Sequence, residues 1–140
     1  MDPHADRTAL IELMSRYADI SDLKHFTGLP GRVFTDPLEL DFSSVAGIPV
    51  MTMPLADYVE TLRAGFAAFT ATHHAITGHV VEVDGDRATI HAHVRAEHWL
   101  PGVPERWLVV GFYDNEAVRT PDGWRLSRVR LTAAHQENAH

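Results

Sequence analysis

Apolar residues recur every three or four positions in two stretches of the chain, and this spacing is typical of amphipathic helices. The first stretch predicts a helix over residues 6–20. The second predicts a helix that begins near Thr52 and carries Phe66 on its apolar stripe. Between them a shorter helix is expected over residues 23–29, ended by Pro30-Gly31.

From residue 75 onward apolar and polar positions alternate, which is the period of a β-strand. Turn sequences rich in Gly, Pro and Asp separate the alternating segments. With one earlier segment, the expected strands cover residues 34–42, 76–83, 87–99, 106–118 and 124–133. Helices followed by consecutive strands predict a single α+β domain over residues 1–140, with helices packed on one face of a curved antiparallel sheet.

The strand predicted over residues 87–99 separates its side chains into two faces. One face is apolar except for its last member and consists of Ala88, Ile90, Ala92, Val94, Ala96 and His98. The other face is polar and consists of Thr89, His91, His93, Arg95 and Glu97. The apolar face is expected to meet the core. Its small alanines leave space for a pocket beside His98.

A second histidine is expected at the same pocket. On the preceding strand His74 shares its parity with the apolar Ile76 and Val80. His73 and His79 have the opposite parity and are expected to point away. Two imidazoles would then meet in one cavity, although buried histidines bonded only to backbone or water are the common alternative.

Several other residues have both a structural and a functional interpretation. Asp22 follows Ser21 near a helix junction, where it either caps the next helix or orients and ionises a histidine. Tyr17 lies one turn earlier on the apolar stripe; it is either a core aromatic or a hydrogen-bond donor to a substrate carbonyl. Tyr113 and Trp99 are core or pocket-wall residues that are candidates for ligand contact.

Composition narrows the classes of function. The 140 residues, 45% of them apolar, suffice for one domain with a sizeable core. A formal charge of −7 has the wrong sign for binding nucleic acid or an anionic membrane, so neither is an expected partner. The absence of cysteine excludes disulfide scaffolds, thiolate zinc sites and cysteine nucleophiles. The hydrated first six residues do not form a signal peptide, so we expect a cytoplasmic protein.

Several short motifs in a fixed order carry a resemblance to a known family. They are Arg16-Tyr17-Ala18 with Asp22, Val33-Phe34-Thr35-Asp36, Leu40-Asp41-Phe42, His73-His74-Ala75-Ile76-Thr77-Gly78, Val83-Asp84-Gly85-Asp86-Arg87-Ala88, Gly111-Phe112-Tyr113-Asp114 and Asp122-Gly123-Trp124-Arg125-Leu126. Over about residues 7–134 the chain resembles the SnoaL-like and scytalone-dehydratase-like branch of the nuclear-transport-factor-2-like superfamily. The resemblance implies a cone-shaped α+β fold that encloses an apolar pocket.

The resemblance also implies roles for particular residues. In dehydratases of this family a His–Asp pair and a second histidine act in the pocket, and the matching positions here are His74, Asp22 and His98. The spacing from Tyr17 to Asp22 is similar to that of the bile-acid dehydratases, where such a tyrosine contributes to the site. These four residues are therefore the candidate catalytic group.

The chain departs from the scytalone-type pattern at two positions. Ser21 and Phe42 stand where those enzymes have tyrosines that polarise a carbonyl, so a different substrate is expected. The residues expected to contact it are Phe42, Phe66, Trp99 and Tyr113. Because related sheets commonly pair across a dimer interface, the resemblance further implies a homodimer.

A metal-site pattern competes with this interpretation. Gly85, His91, His93 and Glu97 reproduce most of a cupin motif, in which two histidines and a glutamate bind iron, manganese or zinc. However, Pro104 occupies the closing glycine position, and no second His-bearing motif follows. The two histidines and Glu97 also share the polar parity, so a solvated or subunit-contacting face is the simpler account.

The leading hypothesis is a cofactor-independent lyase or isomerase, including polyketide-cyclase chemistry, acting on an apolar cyclic substrate. His74, kept basic by Asp22, would abstract a proton while Tyr17 or His98 donates to the developing enolate or leaving hydroxyl. The alternative is a non-catalytic ligand-binding or assembly domain. A large His74–Asp22 distance and a filled pocket would favour that alternative.

Overall fold

A computed structural model describes residues 2–139, in which helices and one short hairpin precede four long strands. The helices are α1 (Pro3–Asp22), α2 (Leu29–Val33), α3 (Ser43–Ala46) and α4 (Leu55–Phe66). The strands are β1 (Phe34–Asp41), β2 (Met51–Met53), β3 (Ala71–Asp84), β4 (Arg87–Trp99), β5 (Trp107–Thr120) and β6 (Gly123–Glu137).

The strands form one curved, open sheet in the order β2-β1-β6-β5-β4-β3. Neighbours among β3 to β6 are antiparallel, whereas β1 pairs with β6 in parallel. The predicted α+β class is confirmed. After β1, β2 and α4 the chain crosses to β3 at the far edge of the sheet. Strands β3 to β6 then lie side by side back toward β1, and the last of them, β6, runs beside β1 in the same direction.

Helix α1 lies against the sheet and buries Leu10, Met14 and Ile20 completely. It begins one turn earlier than predicted, because Asp2 caps it by accepting from the His4 backbone N–H. A charged cluster fixes its first turn: the Arg119 guanidinium donates to both carboxylate oxygens of Asp6 at 2.8 and 2.9 Å. The last residue of the helix is Asp22.

The helix predicted over residues 23–29 is wrong. Those residues form turns and irregular structure as far as Gly28, and the short helix α2 begins at Leu29. Pro30 lies in the first turn of α2, where a missing N–H costs no hydrogen bond, so it starts a helix instead of ending one. The pattern also gave no indication of α3 or β2, which are too short to show a period.

Helix α4 begins three residues later than predicted. Thr52 lies in β2, and Pro54 is the N-cap of the helix. The helix buries Tyr58 and Leu62.

The alternation predicted for β4 is confirmed. Every even-numbered residue from Ala88 to His98 is at most 5% exposed, and these side chains face the helices. The core lies between this row and the buried stripes of α1 and α4.

Strand β3 starts earlier than predicted and contains a β-bulge. Its register against β4 shifts between Thr77 and Val80, around Gly78 with φ +66°. The bulge reverses the parity beyond it, so Val80 is 55% exposed while His79 is half-buried. The prediction that His79 points away and Val80 inward is therefore wrong, while that for His74 is unaffected.

None of the helices within residues 2–139 combines the length and the apolar character that a bilayer-spanning helix requires.

Candidate active site

A cavity of about 310 Å³ lies between the helices and the concave face of the sheet. Its wall is mostly aromatic and aliphatic. The lining residues are Tyr17, Ala18, Ser21, Phe42, Val45, Ala46, Ile48, Tyr58, Thr61, Leu62, Gly65, Phe66, Phe69, His74, Val94, Ala96, His98, Trp107, Val109, Tyr113 and Leu131. The space predicted above the alanine row of β4 thus exists, and both histidines expected there line it.

Asp22 and His74 form a hydrogen-bonded pair at the wall of this cavity. Nδ1 of His74 lies 2.7 Å from Oδ1 of Asp22, and each side chain is 11% exposed. The backbone N–H of His74 donates to Oδ2 at 2.7 Å, and the Thr72 hydroxyl donates to Oδ1 at 2.9 Å. These contacts fix the carboxylate and hence the imidazole plane. Asp22 is therefore a partner of His74 rather than a cap of a following helix.

The surroundings of Asp22 favour its ionised form. Burial on its own would raise the pKa of this carboxyl. The hydrogen bond and charge of the His74 side chain, the His74 N–H and the Thr72 hydroxyl outweigh burial, so the pKa of Asp22 lies below its ordinary value. An ionised Asp22 accepts the Nδ1 proton of His74, which leaves Nε2 of that ring for chemistry.

His98 is buried on β4 with a different partner. Its Nδ1 lies 3.1 Å from the carbonyl oxygen of Trp107, the residue opposite it on β5. A carbonyl only accepts, so Nδ1 carries the proton. Burial lowers the pKa of His98, and the hydrogen bond to Trp107 only partly offsets this. At neutral pH His98 is thus an uncharged ring with a lone pair on Nε2.

Aromatic rings surround both histidines. Trp107 stacks on His98 with ring centroids 4.3 Å apart, and Phe69 lies 5.2 Å from the same ring. Phe66 lies 6.3 Å from each imidazole, and the two imidazoles are 5.7 Å apart. This wall keeps the site apolar and brings the two imidazoles within reach of one small molecule.

Three tyrosines form another part of the wall. Tyr17 from α1 packs edge-on against Tyr113 of β5, with ring centroids 5.5 Å apart. Tyr58 from α4 joins them through Phe34, which lies 5.6 Å from Tyr17 and 5.4 Å from Tyr58. Tyr58 lies within the segment predicted as the second amphipathic helix, and the pattern gave no indication that it reaches the cavity.

The structure brings together most of the predicted site residues. Asp22 is hydrogen-bonded to His74. The predicted residues that line the cavity are His74, His98, Tyr17, Phe42, Phe66 and Tyr113. Trp99 does not line the cavity, so that prediction is wrong: it follows His98 directly on β4 and therefore points to the opposite face. Trp107 takes the expected place of Trp99, because the β4–β5 register sets it opposite His98.

The residues of the metal-site alternative lie on the outer face of the sheet, as their parity predicted. His91 is bonded to Asp114 at 2.7 Å, and Glu97 is bonded to Arg106 at 2.6 Å. Within residues 2–139 no three His, Asp or Glu side chains are grouped so as to hold one metal ion.

The arrangement is suited to moving protons. It presents two imidazole Nε2 atoms, one of them backed by a carboxylate, and a group of phenols to an apolar space. A base next to an apolar space and a hydrogen-bond donor for a developing negative charge are what abstraction of a proton next to a carbonyl requires.

Comparison with known proteins gives consistent matches over nearly the whole chain. A family model described as a SnoaL-like domain matches residues 3–130. An uncharacterized protein of Mycobacterium tuberculosis strain H37Rv is 29% identical over 134 residues, which cover 95% of this chain and 88% of that protein. Among solved structures, the Kfla4162 protein of Kribbella flavida is 70% identical, with a TM-score of 0.97 over 99% of this chain and 97% of that one.

A more distant structure, from Novosphingobium aromaticivorans, was solved as a "Putative Scytalone Dehydratase". It has a TM-score of 0.84 at 20% identity, over 97% of this chain and 89% of that one. At that identity the likeness shows a shared fold.

Proposed function

The chain belongs to the SnoaL-like domain family, as its motifs predicted, and on that premise we propose that it is a cofactor-independent acid–base enzyme. Its reaction is a dehydration, an isomerisation or a polyketide cyclisation of an apolar cyclic substrate. One observation carries the proposal: the carboxylate of Asp22 holds His74 at 2.7 Å, and His74 lines an apolar cavity. The fold alone would not suffice, because one fold serves many functions.

His74 acts as the general base. Its Nε2 takes a proton from the carbon next to a carbonyl, and the C–H electron pair forms an enolate. Asp22 stabilises the imidazolium that results, since the carboxylate is ionised and already bonded to Nδ1. In a dehydration the enolate then expels a β-hydroxyl, which takes the proton from Nε2 and leaves as water. In an isomerisation the proton returns to a different carbon.

The donor to the enolate is a phenol. The sequence left this role open between Tyr17 and His98, but neutral His98 uses its one N–H on the Trp107 carbonyl and presents an acceptor to the cavity. Tyr17 keeps its proton, because burial raises the pKa of its phenol well above the ordinary value. His98 is accordingly a second proton acceptor or a site for a substrate hydroxyl.

The geometry supports an enzyme better than a binding or assembly domain. The binding-domain hypothesis called for His74 and Asp22 to be apart and for the space above the alanines to be filled. The pair is instead in contact, and the space is a cavity of about 310 Å³.

Deuterium exchange tests the proposal without knowledge of the natural substrate. The probe is 2-tetralone, a neutral two-ring ketone with exchangeable α-protons. We expect the protein to accelerate deuterium incorporation from D2O, measured by mass spectrometry. The His74→Gln variant should lose about 10²–10⁴-fold of that rate, the usual contribution of a positioned base.

The chain offers a matched control in His91, which is also bonded to an aspartate at 2.7 Å but lies on the outer face of the sheet. The His91→Gln variant should exchange 2-tetralone at the wild-type rate. Exchange by His74→Gln at the wild-type rate would contradict the proposal. So would a wild-type protein that binds 2-tetralone without accelerating its exchange.

The proposal includes a homodimer and a cytoplasmic location. The outer sheet face carries an aromatic cluster in which Phe112 stacks against His91 at 5.8 Å and meets His93 edge-on at 5.0 Å. Such a cluster on an open face is suited to contact with a second copy of the chain. A chain without cysteine has no disulfide that an oxidising compartment would have to maintain.

A further inference from the structure

The chain contains three tyrosines, and all three line the same cavity. They come from distant elements, α1, α4 and β5, and they are 8%, 3% and 2% exposed for Tyr17, Tyr58 and Tyr113. A core that needed only aromatic packing would be served by phenylalanine, which has no hydroxyl to satisfy. The presence of all three at one cavity therefore indicates that their hydroxyl groups have a function there.

The three phenols lie near one another at the wall of the cavity. The rings of Tyr17 and Tyr113 meet edge-on at 5.5 Å, and the three phenols lie close enough together to influence one another's pKa. Among residues 2–139 the one buried side-chain nitrogen or oxygen without a partner is His79 Nε2. Each tyrosine oxygen therefore either has a hydrogen-bond partner or is accessible from the cavity.

The phenols remain hydrogen-bond donors across the neutral range. Burial raises the pKa of Tyr113 to about 12, and the neighbouring Tyr17 phenol opposes this rise only in part. Burial likewise raises the pKa of Tyr58 and of Tyr17. A cluster of protonated phenols in an apolar wall stabilises negative charge that develops on an oxygen placed next to it.

The rest of the lining limits the charge of the ligand. None of the described residues that line the cavity is Lys, Arg, Asp or Glu. An isolated carboxylate or phosphate would lose its hydration there without gaining a cation, which disfavours its binding. A cavity of about 310 Å³ is also at the small end for ligand pockets. The ligand is therefore small and neutral.

From these observations, and resting on the proposed function, we propose that Tyr17, Tyr58 and Tyr113 form an oxyanion subsite that binds the carbonyl oxygen of a small neutral cyclic ketone. As His74 removes the α-proton, the C–H electron pair forms the enolate and its charge moves to this oxygen. The phenols donate hydrogen bonds and keep their protons. No further reactant is needed.

The carbonyl stretching frequency of bound 2-tetralone, labelled with ¹³C at the carbonyl, tests the subsite directly. Hydrogen bonds from the phenols polarise the C=O bond, so we expect a lower frequency in the wild-type complex than in water. Tyr58→Phe and Tyr113→Phe should each raise the frequency again and weaken binding about three- to tenfold, the loss of one hydrogen bond. Binding of tetralin, which lacks the oxygen, should be unchanged.

Thr61→Val is the matched control. Thr61 also lines the cavity, but its hydroxyl already donates to the Asp57 carbonyl at 3.0 Å. This variant should leave the carbonyl frequency of 2-tetralone unchanged. Thermal unfolding of each variant reports whether it folds, and the use of two separate Tyr→Phe variants guards against one that does not.

The outcomes separate this inference from the proposed function. A lowered carbonyl frequency without deuterium exchange would uphold the subsite and contradict the enzyme. Exchange that depends on His74, with affinity and carbonyl frequency unaffected in both Tyr→Phe variants, would overturn the subsite and uphold the enzyme.

Discussion

At the scale of single residues, the candidate site depends on which partner each histidine has. Alternation in β4 placed His98 inward from the sequence alone. The resemblance and the parity of β3 did the same for His74. The sequence left Asp22 open between a helix cap and a histidine partner, because the outcome depends on the path of residues 23–28. Those residues form no helix, and the carboxylate accepts from Thr72 and His74 instead.

Tyr58 and Trp107 were missed for a physical reason. A residue on an apolar helix stripe has the same pattern whether its side chain fills the core or borders a cavity. The position of Trp107 opposite His98 depends on the β4–β5 register. The Pro-Gly turn between those strands shows that they are connected, but it does not specify which residues pair.

The protonation state of His98 can be predicted from its surroundings. Since burial lowers its pKa and Nδ1 donates to the Trp107 carbonyl, the ring should be neutral at pH 7 with the proton on Nδ1. Nitrogen-15 NMR of the histidine rings checks this, because a protonated and an unprotonated ring nitrogen have well-separated shifts. A doubly protonated ring at pH 7 would contradict the assignment of His98 as an acceptor.

At the scale of elements, long periodic segments were predictable and their irregularities were not. Strand β4 has the predicted bounds and faces. Strand β3 departs from alternation because Gly78, at φ +66°, allows a bulge. A side chain there would be strained, and its Cβ would lie 3.1 Å from Cδ2 of His93. An isolated glycine in a strand pattern is the signal that would have indicated the bulge.

The bulge leads to a prediction about stability and pH. It buries Nε2 of His79 without a partner, and burial lowers the pKa of this histidine below 6.5. The unfolded chain then binds the proton more readily than the folded one. The free energy of unfolding should be highest above pH 6.5 and should fall as the pH drops from 6.5 through the lower folded-state pKa.

A His79→Leu variant should lose less stability over that interval than the wild type. Urea unfolding followed by circular dichroism at a series of pH values measures the difference. His73→Leu is the control, because His73 is an exposed neighbour on the same strand. Curves of equal slope for wild type and His79→Leu would show that His79 has no part in the acid sensitivity.

Strands β5 and β6 approach closely at Gly111, so a side chain there should lower the stability of the protein. A Cβ at Gly111 would lie 2.0 Å from the backbone oxygen of Thr132, so Gly111→Ala must push the two strands apart. We expect a loss of about 1–3 kcal/mol in the free energy of unfolding, as for other over-packed sites. Chemical denaturation measures this loss.

Gly31→Ala is the control for Gly111→Ala, since nothing lies within 4 Å of its Cβ position in α2. It should change stability by less than about 1 kcal/mol, toward stabilisation. Equal effects of the two substitutions would mean that β5 and β6 are not in close contact at Gly111.

At the scale of the whole molecule, the chain separates a charged exterior from a neutral interior. The net charge of −7 comes from side chains outside the cavity, while the described lining has no Lys, Arg, Asp or Glu. A substrate therefore exchanges part of its hydration for an apolar lining beside His74, which strengthens the hydrogen bonds it makes there. The sequence predicted the apolar pocket, but its neutral lining follows only from the three-dimensional arrangement.

The molar mass in solution tests the proposed dimer. Light scattering coupled to size-exclusion chromatography should give twice the chain mass of 15.6 kDa. Phe112→Ser, on the outer sheet face, should shift the protein toward the monomer. Thr89→Ser, at the end of the same face, should not. A wild-type monomer at micromolar concentration would contradict this part of the proposal.

Chemical rescue tests the central claim, that His74 is a base held by Asp22, most directly. In His74→Ala the missing ring leaves space beside the Asp22 carboxylate, which free imidazole can enter. We predict that His74→Ala loses exchange of 2-tetralone and that imidazole restores it in a saturable manner, but much less so when Asp22→Asn is added. Wild-type exchange in His74→Ala without imidazole would contradict the account, as would a folded, ketone-binding variant that imidazole cannot restore.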